Sequence, residues 1–225
     1  MTHLDAELKQ LKSDIVEMWE LVISQMKKSK EALESFDKDL AHQVSSREKR
    51  VDAFELKINM DCENMLALFS PLAGDLRFVL AVLRINYDLE RIGDYARSIV
   101  KIVAEGEKPF SKKSLEETKI HKMFESAIIM LEATLDAFEK EDNLLVRSVF
   151  NMDDGLDKVN KHANEIVAEL IKSQPDDLLN HLNLLSVIRR IERMGDQTKN
   201  IAEEIVFSLE AKVLRHMKKK DKIAK

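Results

Sequence analysis

Four pairs of acidic residues stand out by position: Glu48 and Asp52, Glu90 and Asp94, Asp153 and Asp157, and Glu192 and Asp196, each four residues apart. On a helix, residues at i and i+4 share a face, so each pair can offer two carboxylates to one cation. Spacing alone decides little. Acidic pairs at this interval are no commoner than 41 acidic residues in 225 would give by chance, and like charges so placed cost a few tenths of a kcal/mol. The context says more. Glu90-Arg91-Ile92-Gly93-Asp94 recurs 102 residues later as Glu192-Arg193-Met194-Gly195-Asp196. A glycine in mid-helix costs about 1 kcal/mol relative to alanine. Two of them at equivalent points imply a close backbone approach or local freedom.

Folding each helical hairpin about its proline turn brings the pairs together. Asp52 and Glu48 lie 19 and 23 residues before Pro71, while Glu90 and Asp94 lie 16 and 20 after Gly74. Asp157 and Asp153 lie 18 and 22 before Pro175, while Glu192 and Asp196 lie 15 and 19 after Asp177. In antiparallel helices those heights agree to within about one turn, so each half gathers four carboxylates. Such a group must be neutralised by protons, by Arg or Lys, or by metal. An all-oxygen set favours Mg, Ca, Mn or iron over structural zinc. Solvated faces paired with Arg91, Arg97, Arg193 and Lys199 are the competing reading, and periodicity does not say which way these faces point. Asn160 and Asn164 could add amide oxygens, with hydrogen bonding in a helix seam the alternative.

The elements that would position these residues are helices. Only 5 Gly and 3 Pro in 225 residues leave no room for a large β architecture. Apolar residues from Leu4 through Leu8, Leu11, Ile15, Met18, Val22 and Met26 to Leu40 follow bundle spacing, predicting one helix over residues 4–40, roughly 55 Å long. A turn near residues 37–43 leads to a second helix that ends at Pro71. Asp75 can cap a third, ending near residue 104. Residues 105–111 read as a linker. Ser114-Leu115-Glu116-Glu117 has capping-box form for a fourth helix. A fifth ends at Pro175, and Asp176 or Asp177 can cap a sixth. The expectation is an all-α protein of two tandem, internally duplicated three-helix bundles, spanning 1–108 and 109–225.

Other chemistry is poorly served. No histidine has a glutamate three residues before it, as a di-iron oxidase bundle requires, and there is no phosphate loop, nucleophile elbow or HExxH. The six His are expected at the surface or at helix ends, and Trp19 and the ten Met in the core. Cys62, between Asp61 and Glu63, has no activating cation and is expected to be inert. A single cysteine fits a reducing compartment. A charged start and a longest apolar run of only residues 78–83 predict a cytoplasmic protein with neither secretory signal nor membrane span. Net charge is −5 with mixed signs, which speaks against nucleic acid as a partner. The basic tail Lys218-Lys219-Lys220-Asp221-Lys222 is expected to be a solvated end, with weak attraction to an anionic membrane as the alternative.

Two stretches resemble the PhoU family of phosphate-signalling regulators. One is Asp75-Leu76-Arg77-Phe78-Val79-Leu80-Ala81-Val82-Leu83 followed by Leu89-Glu90-Arg91-Ile92-Gly93-Asp94. The other is Ile191-Glu192-Arg193-Met194-Gly195-Asp196 with Asn200-Ile201-Ala202-Glu203. The likeness covers essentially the whole chain and implies that the two three-helix bundles lie side by side. It implies multinuclear clusters of divalent metal (iron, Mn, Mg, Ca or Zn) held by Glu48, Asp52, Glu90, Asp94, Asp153, Asp157, Glu192 and Asp196. It also implies a non-enzymatic negative regulator that couples the ATPase subunit of a phosphate ABC transporter to a sensor histidine kinase at the inner membrane, and a homodimer. Tyr95 and Gln197 stand where many relatives carry His, which favours an oxygen-only site here. The alternatives are a carboxylate-bridged metal enzyme and a metal-independent helical adaptor.

Overall fold

A computed structural model describes residues 2–215, 217 and 219–223. Its helices are α1 (His3–Ser35), α2 (Lys38–Phe69), α3 (Ala73–Glu105), α4 (Lys112–Glu117), α5 (Ile120–Lys140), α6 (Asn143–Met152), α7 (Asp154–Ser173), α8 (Leu178–Glu210) and α9 (Lys219–Ile223), with a 3₁₀ turn at Pro175–Asp177. No strand occurs among the described residues. Helices α1, α2 and α3 form one bundle. Helices α5 and α8 with the α6–α7 pair form the other.

The two bundles lie side by side because α3 and α8 run antiparallel along the centre. Arg84 on α3 donates twice to the Glu204 carboxylate on α8, at 3.1 and 2.9 Å, and Arg77 Nε donates to the Ser208 carbonyl at 3.4 Å. Helix α1 packs on α5, where fully buried Trp19 donates from Nε1 to the Leu131 carbonyl at 3.3 Å. Apolar residues on several faces of α3 and α8 let these helices bury surface toward both their own bundle and the other.

Several boundaries differ from the sequence expectation. The first helix stops at Ser35, not near residue 40, because Phe36 turns left-handed (φ 54°) and Asp37 accepts the Leu40 amide to cap α2. The expected fourth helix, through Met123 and Leu131 to Phe138, is broken at left-handed Lys119 (φ 54°) into α4 and α5, and Ser111, not Ser114, caps α4, with Ser114 buried within it. The fifth helix is interrupted at Asp153 into α6 and α7. Neither Asp75 nor Asp176 caps through its side chain: Leu72 is the N-cap of α3, and Asp177 makes no capping bond to α8 and pairs with Lys108 instead. No described helix is long and apolar enough to cross a membrane.

The tail also departs from the solvated end. Lys222 is bound to the body of the protein, while Lys218 lies outside the described residues.

Candidate functional site

The register of α2 against α3 is fixed by Asn86 Nδ2 donating to the Glu55 carbonyl at 2.9 Å, and it sets Glu48 over Gly93. Glu48 is 2% exposed. Its Oε2 accepts from Gln25 Nε2 on α1 at 3.3 Å, whereas Glu48 Oε1 and Gln25 Oε1 are buried without a hydrogen-bond partner. A Cβ at residue 93 would stand 3.2 Å from each of those two oxygens. The mid-helix glycine is therefore the gap that lets a carboxylate lie against the backbone of α3. Asp52 and Asp94 are exposed at the rim and Glu90 is half-buried. Arg97 reaches Asp94 at 3.8 Å from solvent.

The four acids feel one another. Burial, then the charges of Asp94 and Asp52, push Glu48 up to about 7 against the opposing Gln25 hydrogen bond and Arg97. Burial and then Asp94, Glu55 and Asp52 raise Glu90.

The second bundle repeats the construction with one change. Asp153, 3% exposed at the junction of α6 and α7, lies against Gly195: a Cβ there would meet Asp153 Oδ1 at 3.1 Å and Leu156 Cδ1 at 2.6 Å. Asp153 Oδ1 has no hydrogen-bond partner. Lys199, which stands 102 residues after Arg97, turns inward, binding Asp153 Oδ2 and reaching Asp196 at 2.7 Å. Burial alone would lower the Lys199 pKa, but its hydrogen bonds to Asp153 and Asp196 carry it above the ordinary lysine value. Burial pushes Asp153 up and Lys199 draws it part of the way back. Burial, Asp196 and Asp157 raise Glu192. Asp157 is exposed.

All eight acids named from the sequence thus collect into two electrostatically coupled groups, one beside each repeated glycine. Their donor chemistry fits a hard divalent cation, since each group points a buried, unpartnered carboxylate oxygen inward. As the side chains stand, no three His, Cys, Asp or Glu among the described residues are gathered closely enough to hold one ion. The exposed Asp52, Asp94 and Asp157 are the ones with room to turn inward.

Asn164 accepts from Arg189 Nη2 at 3.1 Å on the surface and so faces a cation already. Burial and then Asp61 and Glu63 push the Cys62 thiol up to about 12, which makes it inert at neutral pH. His181 lies at a helix end, in the first turn of α8, but is fully buried there with neither ring nitrogen hydrogen-bonded.

Sequence reasoning missed Gln25 and the inward turn of Lys199. It also missed Asp88, buried between α3 and α8 and pushed to about 7 by burial and then by Glu204, against an Asn200 hydrogen bond. Gln25 sits beside Val22 and Met26 of the α1 stripe, and a polar residue in such a stripe was the available signal. Lys199 matched Arg97 in the repeat but gave no hint of its direction.

The comparisons with known proteins agree with this architecture. A family profile described as PhoU domain matches residues 15–103 and 120–205. A Pseudomonas aeruginosa protein named phosphate-specific transport system accessory protein PhoU homolog is 31% identical over 221 residues, covering 96% of this chain and 88% of its own length. A Thermotoga maritima protein named as PhoU homolog 1 of the same system is 30% identical over 91% of this chain and 88% of its own. The crystal structure of PhoU from Pseudomonas aeruginosa superposes with a TM-score of 0.85 at 29% identity, over 93% of this chain and 100% of that one. A Streptococcus pneumoniae structure, titled phosphate transport system regulatory protein PhoU, gives 0.81 at 27% identity, over 94% and 99%.

Proposed function

The chain belongs to the PhoU family, and on that premise we propose that it is a non-enzymatic, metal-binding negative regulator of phosphate uptake and phosphate-starvation signalling. It acts in the cytoplasm through protein contacts, joining the ATPase subunit of the phosphate transporter to the sensor histidine kinase. The observation that supports this most is the pair of carboxylate groups laid against Gly93 and Gly195 on a scaffold shared with accessory proteins of phosphate transport.

Glu48, Asp52, Glu90 and Asp94 would hold divalent metal in the first bundle, and Asp153, Asp157, Glu192 and Asp196 in the second. The metal would neutralise repelling carboxylates and tie α2 to α3 and α7 to α8. Elemental mass spectrometry on protein purified without chelator tests the metal: several equivalents of one divalent ion are expected, lost in an Asp94→Ala, Asp196→Ala variant. Deleting the gene tests the regulation, with starvation reporters expected to switch on in high phosphate. Reporters that stay off overturn the regulatory reading.

One observation favours a metal-independent adaptor as the second reading: Lys199 already supplies a cation to the second group. A chain that takes up no metal on loading and dialysis, yet restores regulation, would establish that alternative.

A further inference from the structure

Helix α8 ends at Glu210, and left-handed Ala211 (φ 58°) turns the chain back on itself. The returning segment is held to the body of the protein at successive points. Leu214 is buried. Arg215 reaches Glu204 at 3.7 Å. In α9, the Lys222 ammonium is bound to Glu203 and lies 5.7 Å from the centre of the Phe150 ring. Arg147 Nη1 donates to the Lys222 carbonyl at 2.5 Å, and its other terminal nitrogen donates to Glu210 at 2.8 Å. The Lys222 side chain is only 17% exposed.

This docking has a location that matters. Lys222 closes one wall of a cavity of about 540 Å³ whose other walls include Asp153, Asp157, Asp196, Lys199 and Glu203. Asp153 Oδ1, buried and unpartnered, belongs to the same lining. Two ammonium groups, from Lys199 and Lys222, thus bring two positive charges into a pocket of four carboxylates, matching the charge of one divalent ion. The first bundle has no equivalent cover among the described residues: beyond α3 the chain passes as a linker to α4, and Arg97 stays in solvent.

We propose that residues 212–215 and 219–223 form a cationic clasp that closes one side of the second acidic pocket and must be displaced before that pocket takes a divalent cation, whereas the first group is open at all times. The inference rests on the metal-binding reading above and adds its regulation. An incoming cation repels both ammoniums, so binding at the second group and docking of α9 exclude each other, and a basic tail with few apolar anchors is the part free to leave. The two groups should then fill in order, the first before the second.

The test uses Mn²⁺ titration followed by electron paramagnetic resonance and calorimetry. The second group is read in a Glu48→Gln, Asp52→Asn, Glu90→Gln, Asp94→Asn background, and the first in an Asp153→Asn, Asp157→Asn, Glu192→Gln, Asp196→Asn background. Lys222→Gln keeps the whole chain and adds no charge, and a chain ending at Ala211 removes the clasp. A clasp closed nine-tenths of the time lowers apparent affinity about tenfold, so both changes are expected to tighten Mn²⁺ about tenfold at the second group and leave the first unchanged. Mn²⁺ should also raise hydrogen exchange in residues 219–223 of the unaltered chain. Equal affinity at the second group with and without the clasp, while the first group binds, overturns the clasp alone. No Mn²⁺ at either group in any variant overturns the metal reading and the clasp with it.

Discussion

The two bundles carry the same carboxylate arrangement and neutralise it differently. In the first, a buried glutamate faces a glutamine, and its nearest guanidinium, Arg97, is 54% exposed and 3.8 Å from Asp94 alone. In the second, the equivalent Lys199 is 25% exposed and bound to both Asp153 and Asp196. One group is left to protons or metal while the other holds a built-in cation. Duplication therefore preserved the geometry and let the charge balance drift, because one long side chain rotating inward changes the net charge of a buried cluster by a whole unit.

The largest expected effect separates the bundles by sign. Glu48 is raised above its ordinary 4.5 to about 7 in the folded protein, so the native state holds a proton that the unfolded chain releases. Its contribution to stability is full below about pH 4.5 and declines as pH rises through 7. In chelated protein at pH 8, Glu48→Gln should stabilise by on the order of 3 kcal/mol, with the gain fading by pH 4. The same exchange at Asp153→Asn should gain nothing, since it strips Lys199 of one of its two carboxylate partners. Denaturant unfolding across that pH range measures both, and a flat difference between wild type and Glu48→Gln would contradict the assignment.

Next comes the cation. Lys199→Met should cost about 2 kcal/mol at pH 8 by leaving Asp153 buried without its ion pair, and less as pH falls, because burial favours the protonated form of Asp153. Arg97→Met should change stability by less than about 0.5 kcal/mol, as expected of an exposed pair.

The glycines sharpen the contrast further. A methyl at residue 195 meets Leu156 Cδ1, a fully buried core atom, at 2.6 Å, so Gly195→Ala should cost roughly 1–3 kcal/mol of overpacking. At residue 93 the neighbours are the ends of Gln25 and Glu48 at 3.2 Å. A shift of a few tenths of an ångström there is offset by the helix preference of alanine, about 1 kcal/mol. Gly93→Ala should therefore lie within about 0.5 kcal/mol of wild type in melting experiments without metal. The smallest effect is a control: Glu132→Gln and Asp136→Asn, an i,i+4 pair paired with surface lysines, should each change stability by less than about 0.5 kcal/mol.

Much of the fold was legible because it rests on local rules. Apolar spacing marked the long helices, and Pro71 and Pro175 marked the hairpin turns. The doubled Glu-Arg-x-Gly-Asp announced the two carboxylate groups. Boundaries were less legible where the competing signal was backbone conformation: left-handed Phe36 ended α1 inside an unbroken apolar pattern. Capping by Ser114 failed because Ser111, three residues earlier, was also a good acceptor.

The sequence by itself determined which residues are acidic, that they repeat, and that hairpins about two prolines bring them to one height, since helix rise and spacing are local properties. Only the tertiary structure decided which carboxylates face inward and that Lys199, unlike Arg97, turns into its cluster. It also decided that Lys222 returns across the molecule to Glu203 and Phe150. Those outcomes depend on the rotation of each helix about its axis and on contacts between residues far apart in the chain, and helices with apolar residues on several faces leave that rotation to packing.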